Sequence, residues 1–314
     1  MTRMESLSLK NIQAWYEKEI SRFPLAQKGQ EGLRAALFRT LEADGMTFTL
    51  QHNPQRAIST LAKVDRDSIK ERPCFLCRKN RPKEQASLMV LDHYEILVNP
   101  FPIFPFHLTI PDVSHQAQSI QGRLQDLLSL SQLLKGCTVF YNGPLSGASA
   151  PDHMHFQAVG KDLTSTCLQS AKEPRTILEE LDLSVKVETT LRHGFIIQST
   201  DKEKAQLIAS RLIDALPLSD GQTEPMMNLL TCCQGKRWTL ILIGRRRHRP
   251  ECYFREDESR LMVSPASVDL SGCLVLPLRE DFERMTSPNL QGILQEVCLT
   301  DAMVDDAIVH FKKT

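Results

Sequence analysis

The stretch that most constrains this chain is His153-Met154-His155-Phe156-Gln157. In an extended strand successive side chains point to opposite faces, so His153, His155 and Gln157 share one side while Met154, Phe156 and Ala158 take the other. One face is built for chemistry and the other for a core. The strand is entered through Tyr141-Asn142-Gly143-Pro144-Leu145-Ser146-Gly147-Ala148-Ser149-Ala150-Pro151-Asp152. The small residues Gly143, Gly147 and Ser149 let backbone amides approach an anionic group. Neutral imidazole is available near pH 7, attacks phosphorus, and forms an N–P bond labile enough to pass the group on. His155 is therefore the candidate nucleophile. The plainer reading makes both histidines metal ligands or polar surface. The loop has neither a Walker lysine nor a dinucleotide G-x-G-x-x-G.

Hydrophobic spacing around this motif predicts an α+β fold. Residues 8–20 and 29–43 have helical spacing, the second with Leu33, Ala36, Leu37 and Leu41 as its stripe. Strands are expected at Thr47–Leu50, Tyr94–Val98, Phe106–Ile110 and Thr138–Tyr141, with a helix over 119–135. Antiparallel sheet with flanking helices is the assembly that fits. Beyond it come strands near 185–190, 194–199, 226–232, 238–243 and 274–276, a helix at 202–215, and helices toward the C-terminus. The polar run Lys161–Glu180 reads as irregular, so two related halves are expected, residues 1–180 and a diverged 181–314.

Lys plus Arg and Asp plus Glu both number 38, so no global field favours nucleic acid or a membrane surface. No stretch approaches about eighteen uninterrupted apolar residues, and an amphipathic segment rather than an apolar signal core follows Met1–Glu5. A cytoplasmic protein with no membrane partner is expected. Nine cysteines, scattered and odd in number, suit reduced thiols better than a disulfide framework. The basic run Arg245-Arg246-Arg247-His248-Arg249 follows a strand and lacks the aromatic interleaving of a nucleic-acid platform. It reads as a solvated edge, with phosphate groups of a long substrate as the alternative.

Cys74-Phe75-Leu76-Cys77 is a C-x-x-C pair whose thiolates can grip one tetrahedral Zn²⁺ but need two further ligands. His107, His115 and His153 lie downstream, and Cys74, Cys77, His115 and His153 would close a Cys2His2 structural site. A thioredoxin-like redox pair and plain buried cysteines are the alternatives.

The C-x-x-C pair, the Asn99-Pro100 turn, His107-Leu108-Thr109-Ile110-Pro111 with His115, and Gly147-Ala148-Ser149 before His153-Met154-His155-Phe156-Gln157 together resemble the histidine-triad superfamily. Gln157 in the third histidine's place resembles its transferase branch, which includes galactose-1-phosphate uridylyltransferase, diadenosine tetraphosphate phosphorylase and GDP-L-galactose phosphorylase. More weakly, Met227-Asn228-Leu229-Leu230, Trp238-Thr239-Leu240, Ser264-Pro265 and Gly272-Cys273-Leu274 resemble the C-terminal region of dinucleoside tetraphosphate phosphorylases. The resemblance implies a histidine-triad-like sheet and a nucleotidyltransferase or nucleotide phosphorylase in which His155 attacks the α-phosphorus of a dinucleoside polyphosphate or nucleotide sugar. It implies that Gln157 bonds a non-bridging oxygen of the transferred phosphate. Structural zinc would sit on Cys74, Cys77, His115 and His153, and the nucleotide against Asn99, His107, Asn142, Gly147 and Ser149. Phosphate or a sugar phosphate would be the acceptor, and a homodimer is common in that branch. A hydrolase and a non-catalytic nucleotide- or RNA-binding module are the rivals. One departure stands out: Ala150-Pro151-Asp152 separates Ser149 from His153 where the family pattern has two residues. Asp152 reads as a turn residue rather than as a group orienting His153.

Overall fold

The chain opens with two helices, α1 (Leu9–Ile20) and α2 (Pro24–Arg34), in a computed structural model that describes residues 7–56 and 66–313. The Met1–Glu5 stretch lies outside those residues. Ser8 caps α1 by accepting from the Asn11 amide, and Pro24 starts α2 where a missing N–H costs nothing. The helix expected over 29–43 ends at Arg34. Leu37–Ala43 is instead β1, paired along its whole length with β2 (Met46–His52). Asp44 and Gly45 join them with φ of 50° and 75°, the left-handed pair of a two-residue hairpin whose twist matches the strands. That turn, and pairing to a strand carrying buried Phe48 and Leu50, outweigh the helical spacing of Leu33, Ala36, Leu37 and Leu41.

After α3 (Arg66–Glu71) come β3 (Ser87–Val90), β4 (Tyr94–Val98), β5 (His107–Pro111), α4 (Leu124–Leu133), β6 (Thr138–Asn142) and β7 (His155–Val159). These strands lie in the order β3-β4-β5-β7-β6. The run expected to be irregular, Lys161–Glu180, contains α5 (Leu163–Leu168) and β8 (Arg175–Glu180). Asp162 caps α5 by accepting from the Ser165 amide, a local signal its polar composition obscured. Then follow β9 (Leu183–Val187), β10 (Phe195–Ser199), α6 (Lys202–Asp214), β11 (Met227–Gln234) and β12 (Arg237–Gly244), ordered β8-β9-β10-β12-β11. Both groups have the same strand order, with a helix between the third and fourth strands. Antiparallel pairing of β6 with β11 joins them into one ten-stranded sheet. Residues 143–154 form the loop between β6 and β7, whereas Gly235-Lys236 makes the corresponding turn in the second group.

The pleat sends Tyr94, Ile96, Leu108, Ile110, Val139, Tyr141, Phe156 and Ala158 to one face. There they pack under α1, α4, α6 and the last helix, which is numbered below. The opposite face holds Phe140, Val159, Ile241 and Ile243, covered by β2, α7 (Ser267–Leu270), β13 (Cys273–Leu276), α8 (Arg279–Arg284) and α9 (Ser287–Val297). The chain ends on that last helix, α10 (Asp301–Lys313). Strand β13 runs parallel to β2 and completes a small sheet β1-β2-β13, so C-terminal residues close over N-terminal ones. On β12, which takes the place of β7 in the second group, Ile241 and Ile243 fill this face. On β7 the same face bears His155 and Gln157 and stays open. No helix among the described residues is long and apolar enough to cross a membrane.

Candidate active site

Strand β7 begins at His155, so His153 stands in the approach to the strand and turns to a different set of partners. His155 is 3% exposed, and its Nδ1 lies 2.8 Å from the His153 carbonyl. A carbonyl only accepts, so Nδ1 carries the ring proton and the lone pair is at Nε2. Burial lowers the His155 pKa to about 4, against the raising effect of that carbonyl, which leaves a neutral imidazole at pH 7. The ring lines a pocket of about 610 Å³.

Gln157 lines the same pocket, and its amide is oriented by a chain of bonds. The Ile103 amide donates to His107 Nδ1 at 3.2 Å, so the His107 proton sits on Nε2. That Nε2–H donates to Gln157 Oε1 at 2.9 Å. The NH2 end of Gln157 is thereby left for a ligand. His107 is fully buried, and burial followed by the nearby Arg56 lowers its pKa to about 3, which keeps it neutral for this relay. Beside it, Asn99 donates to Thr109 Oγ1 at 3.0 Å and accepts from the Phe101 amide at 2.9 Å. The Asn142 Oδ1 accepts from Asn228 Nδ2 at 2.8 Å and from Ser267 Oγ at 2.6 Å, leaving its NH2 as the group it can offer.

Gly147 is dictated by backbone rather than by an anion alone. Its φ is +99°, and a Cβ there would stand 2.6 Å from the Ala266 Cβ. Gly147→Ala is expected to cost about 1–3 kcal/mol, read as a lower urea midpoint, with a pocket wall displaced. A variant as stable as the parent would contradict this. Ser149 lines the pocket, and its carbonyl accepts from Arg72 Nη2 at 3.1 Å.

The basic run after β12 is a solvated edge only at Arg246 and Arg247, which are exposed. Arg245 is 2% exposed, and its five N–H groups meet five oxygens: Nε donates to Val297 O, Nη1 to Asn228 Oδ1 and Pro265 O, Nη2 to Arg247 O and His248 O. These bonds tie the end of β12 to Asn228, which holds Asn142, and to the segments bearing His248 and Ala266, both on the pocket wall. Arg249 also lines the pocket, donating to Ser264 Oγ at 3.1 Å and lying 4.3 Å over the Tyr253 ring. Lysine cannot reproduce the planar fork. Arg245→Lys should therefore lower stability by about 3 kcal/mol, through buried carbonyls left unmet, as a shifted denaturation midpoint would record.

Cys74, Cys77, His115 and His153 converge, with their ligand atoms all within 4.8 Å of one another. Cys74 Sγ is 3.2 Å from His153 Nδ1, Cys77 Sγ 3.3 Å from His115 Nδ1, and the two Nδ1 atoms are 3.2 Å apart. A tetrahedron with metal–ligand bonds of about 2.0–2.3 Å has edges of about 3.3–3.8 Å, so this set could hold a metal ion. His153 Nε2–H donates to the Asp112 carbonyl at 2.8 Å, which turns the Nδ1 lone pair inward. Asp112, not Asp152, orients His153. Asp152 lies beside Arg72 at 3.4 Å and His115 Nε2 at 3.9 Å.

The structure thus places His155, Gln157, Asn99, Asn142, Gly147 and Ser149 on one pocket, with His107 behind Gln157, and gathers Cys74, Cys77, His115 and His153 in a separate cluster. Gln118, Thr109, Arg245, His248 and Arg249 were not singled out from the sequence as parts of this site. Only the basic run offered a signal for the last three. The pocket wall includes apolar side chains, among them Phe23, Leu25, Phe75, Leu76, Leu97 and Pro100.

Residues 15–160 match the family described as "Domain of unknown function (DUF4922)", and residues 210–309 match "GDPGP1-like, C-terminal domain". No curated protein matches the sequence. Among solved structures the chain is similar to yeast Ap4A phosphorylase Apa2, at 17% identity and a TM-score of 0.52 over 88% of this chain and 94% of that one. The same enzyme in complex with AMP gives 19%, 0.53, 87% and 95%, and in complex with Ap4A 19%, 0.54, 88% and 97%. At such identity the likeness is one of fold. It is the fold of the branch that the histidine and cysteine motifs resemble, a mixed α+β structure built on a large antiparallel sheet.

Proposed function

We propose that this protein is a nucleotidyltransferase of the phosphorylase kind, which moves a nucleoside monophosphate from a dinucleoside polyphosphate or nucleotide sugar to phosphate or a sugar phosphate. The observation that carries the reading is a single pocket holding both the Nε2 lone pair of His155 and the outward NH2 of Gln157. The lone pair forms the Nε2–P bond as the bond from phosphorus to the leaving phosphate breaks. Nδ1 keeps its proton on the His153 carbonyl, so the ring becomes a cation that the carbonyl stabilises. A donor fixed by His107 faces the oxygen on which negative charge grows, which costs no reorganisation at the moment of transfer. An oxygen of the acceptor phosphate then attacks, the Nε2–P bond breaks, and neutral imidazole returns. The apolar lining suits a nucleobase, and Arg249 with His248 suits phosphate groups.

Zinc is the metal that a closed Cys2His2 set favours; four protein ligands would leave it no open position for substrate, and its part would be to cross-link the chain. Cys74 and Cys77 must be thiolates for that, which fits the reducing cytoplasm.

The test is intact mass spectrometry at neutral to mildly alkaline pH after mixing the protein with dinucleoside polyphosphates and nucleotide sugars. A gain of one nucleoside monophosphate that disappears on adding phosphate or sugar phosphate is expected. Turnover that ignores both acceptors would make it a hydrolase, and binding with neither adduct nor turnover would make it a binding module.

A further inference from the structure

We infer that Gln118 is a positioning residue for the His155 nucleophile, an amide side chain standing where a peptide group of the sheet would otherwise be. The inference rests on the reaction proposed above and concerns what holds its central atom.

In the β5–β7 ladder Pro111 faces His155, and just beyond it the Asp112 amide donates to the Met154 carbonyl at 2.9 Å. Antiparallel ladders alternate, so if residues 154 and 156 bond toward β5, the N–H and C=O of His155 point the other way, toward β6. There the pairing stops short. β6 pairs with β7 at Thr138, Val139 and Phe140, opposite Val159, Ala158 and Gln157, and the next hydrogen-bonded pair would be Asn142 with His155. The strands have parted at that point and Gln118 fills the gap. Its Oε1 accepts from the His155 amide at 2.8 Å, while its Nε2 donates to the His155 carbonyl at 3.1 Å and the Asn142 carbonyl at 2.9 Å. Gln118 is 3% exposed, so these bonds have no water to replace them.

The backbone around Gln118 is itself fixed. Its own amide donates to the Pro151 carbonyl at 3.0 Å, and the Gln116 carbonyl accepts from the Met154 amide at 2.7 Å. One short segment, 115–118, therefore supplies His115 to the Cys/His cluster and Gln118 to the nucleophile. The parting of β6 from β7 is what opens the sheet for the loop 143–154 and the pocket. Without a bridge, the first residue of β7 would be the least restrained in the strand, and that residue is the nucleophile. A displacement of about 1 Å from the attacking position can cost about 100-fold in rate without changing ground-state affinity.

Gln118→Met keeps the length of the side chain and removes all three bonds. Three quantities are read: the dissociation constants of AMP and GMP, the single-turnover rate of nucleotidyl-enzyme formation, and hydrogen exchange of the His155 amide. Expected are affinities within about 3-fold of wild type, a rate lower by about 100-fold, and a His155 amide that exchanges at least about 10-fold faster. A rate within 3-fold of wild type overturns the inference, as does a rate that falls only in step with affinity, since that would be a structural lesion. If Gln118→Met does not fold, Gln118→Glu, which keeps the shape and the acceptor for the His155 amide but loses the two N–H donations, of which a protonated carboxyl replaces only one, is read on rate and affinity alone. Should wild-type protein form no adduct, the proposed reaction fails, and the clamp is judged on exchange alone: unchanged protection of the His155 amide would overturn it.

Discussion

His155→Ala is expected to give a folded protein that binds nucleotide and transfers none of it, with turnover lower by on the order of 10⁴-fold or more. The size follows from the site. Among the described residues of the pocket, His155 alone combines burial, a fixed tautomer and a lone pair aimed inward. Gln157 has spent its oxygen on His107 and offers only N–H donors, and Asn142 has spent its own on Ser267 and Asn228. Neither can attack phosphorus. Nucleotide affinity should change little, because the Nε2 lone pair gives the ground state no hydrogen bond to a phosphate oxygen. Stability should stay within about 1–2 kcal/mol of wild type, since the β7 backbone is bonded through Gln118 and β5 rather than through the ring. Turnover above about one-hundredth of wild type, with the nucleotidyl adduct still formed, would mean that another group is the nucleophile.

Residues whose meaning is local could be read directly. His155 and Gln157 alternate with Phe156 along a strand, so their common face follows from the period of two; Cys74 and Cys77 are close because one turn joins them. His115 and His153 were harder, since long gaps separate them from the cysteines and only the sheet closes those gaps. The period of two puts His153 on the face of His155 only if the strand starts two residues earlier than it does; the bend before His155 redirects it to the Cys/His cluster. The hairpin at Asp44-Gly45 was signalled by its turn dipeptide, but apolar residues at helical spacing drew the reading the other way. Gln118 could not have been found by pattern, and the basic run marks Arg245 without showing what it holds. A glutamine before a helix and an arginine after a strand become informative only when distant carbonyls and amides are placed around them. The repeated strand order of β3–β7 and β8–β12 was equally hidden, because topology survives where side chains have changed and the loop between the fourth and fifth strands has shrunk to a turn.

Removing a bound metal is expected to lower the melting temperature by about 10 °C and to abolish adduct formation together with it. The Cys74–Cys77 turn has little core of its own: Cys74, Leu76 and Ala150 form a small cluster apart from the two large ones, with Cys77 at its edge. Phe75 is exposed, and Leu76 faces both that cluster and the pocket. Beyond the Arg72 contacts with the Ser149 carbonyl and Asp152, what fixes this turn to the loop before β7 is the meeting of its thiols with His115 and His153. Take away the ion, and two thiols and two imidazoles remain crowded with nothing to draw them together. A loss of about 3–5 kcal/mol is reasonable for a cross-link between segments this far apart in sequence, and in a chain of this size each kcal/mol moves the midpoint by about 2–4 °C. Metal analysis should find one zinc per chain in the untreated protein, chelator should produce the shift, and added Zn²⁺ should reverse it. Cys74→Ser should begin at the lower midpoint and ignore chelator. A redox pair would behave otherwise, with the midpoint following the thiol–disulfide state and indifferent to chelation, and that outcome would remove zinc from the account while leaving His155 and its pocket in place. His153 makes the two results separable: its carbonyl holds the His155 tautomer while its ring points to the Cys/His cluster, so loss of a metal would reach the proposed chemistry through the backbone of a single residue.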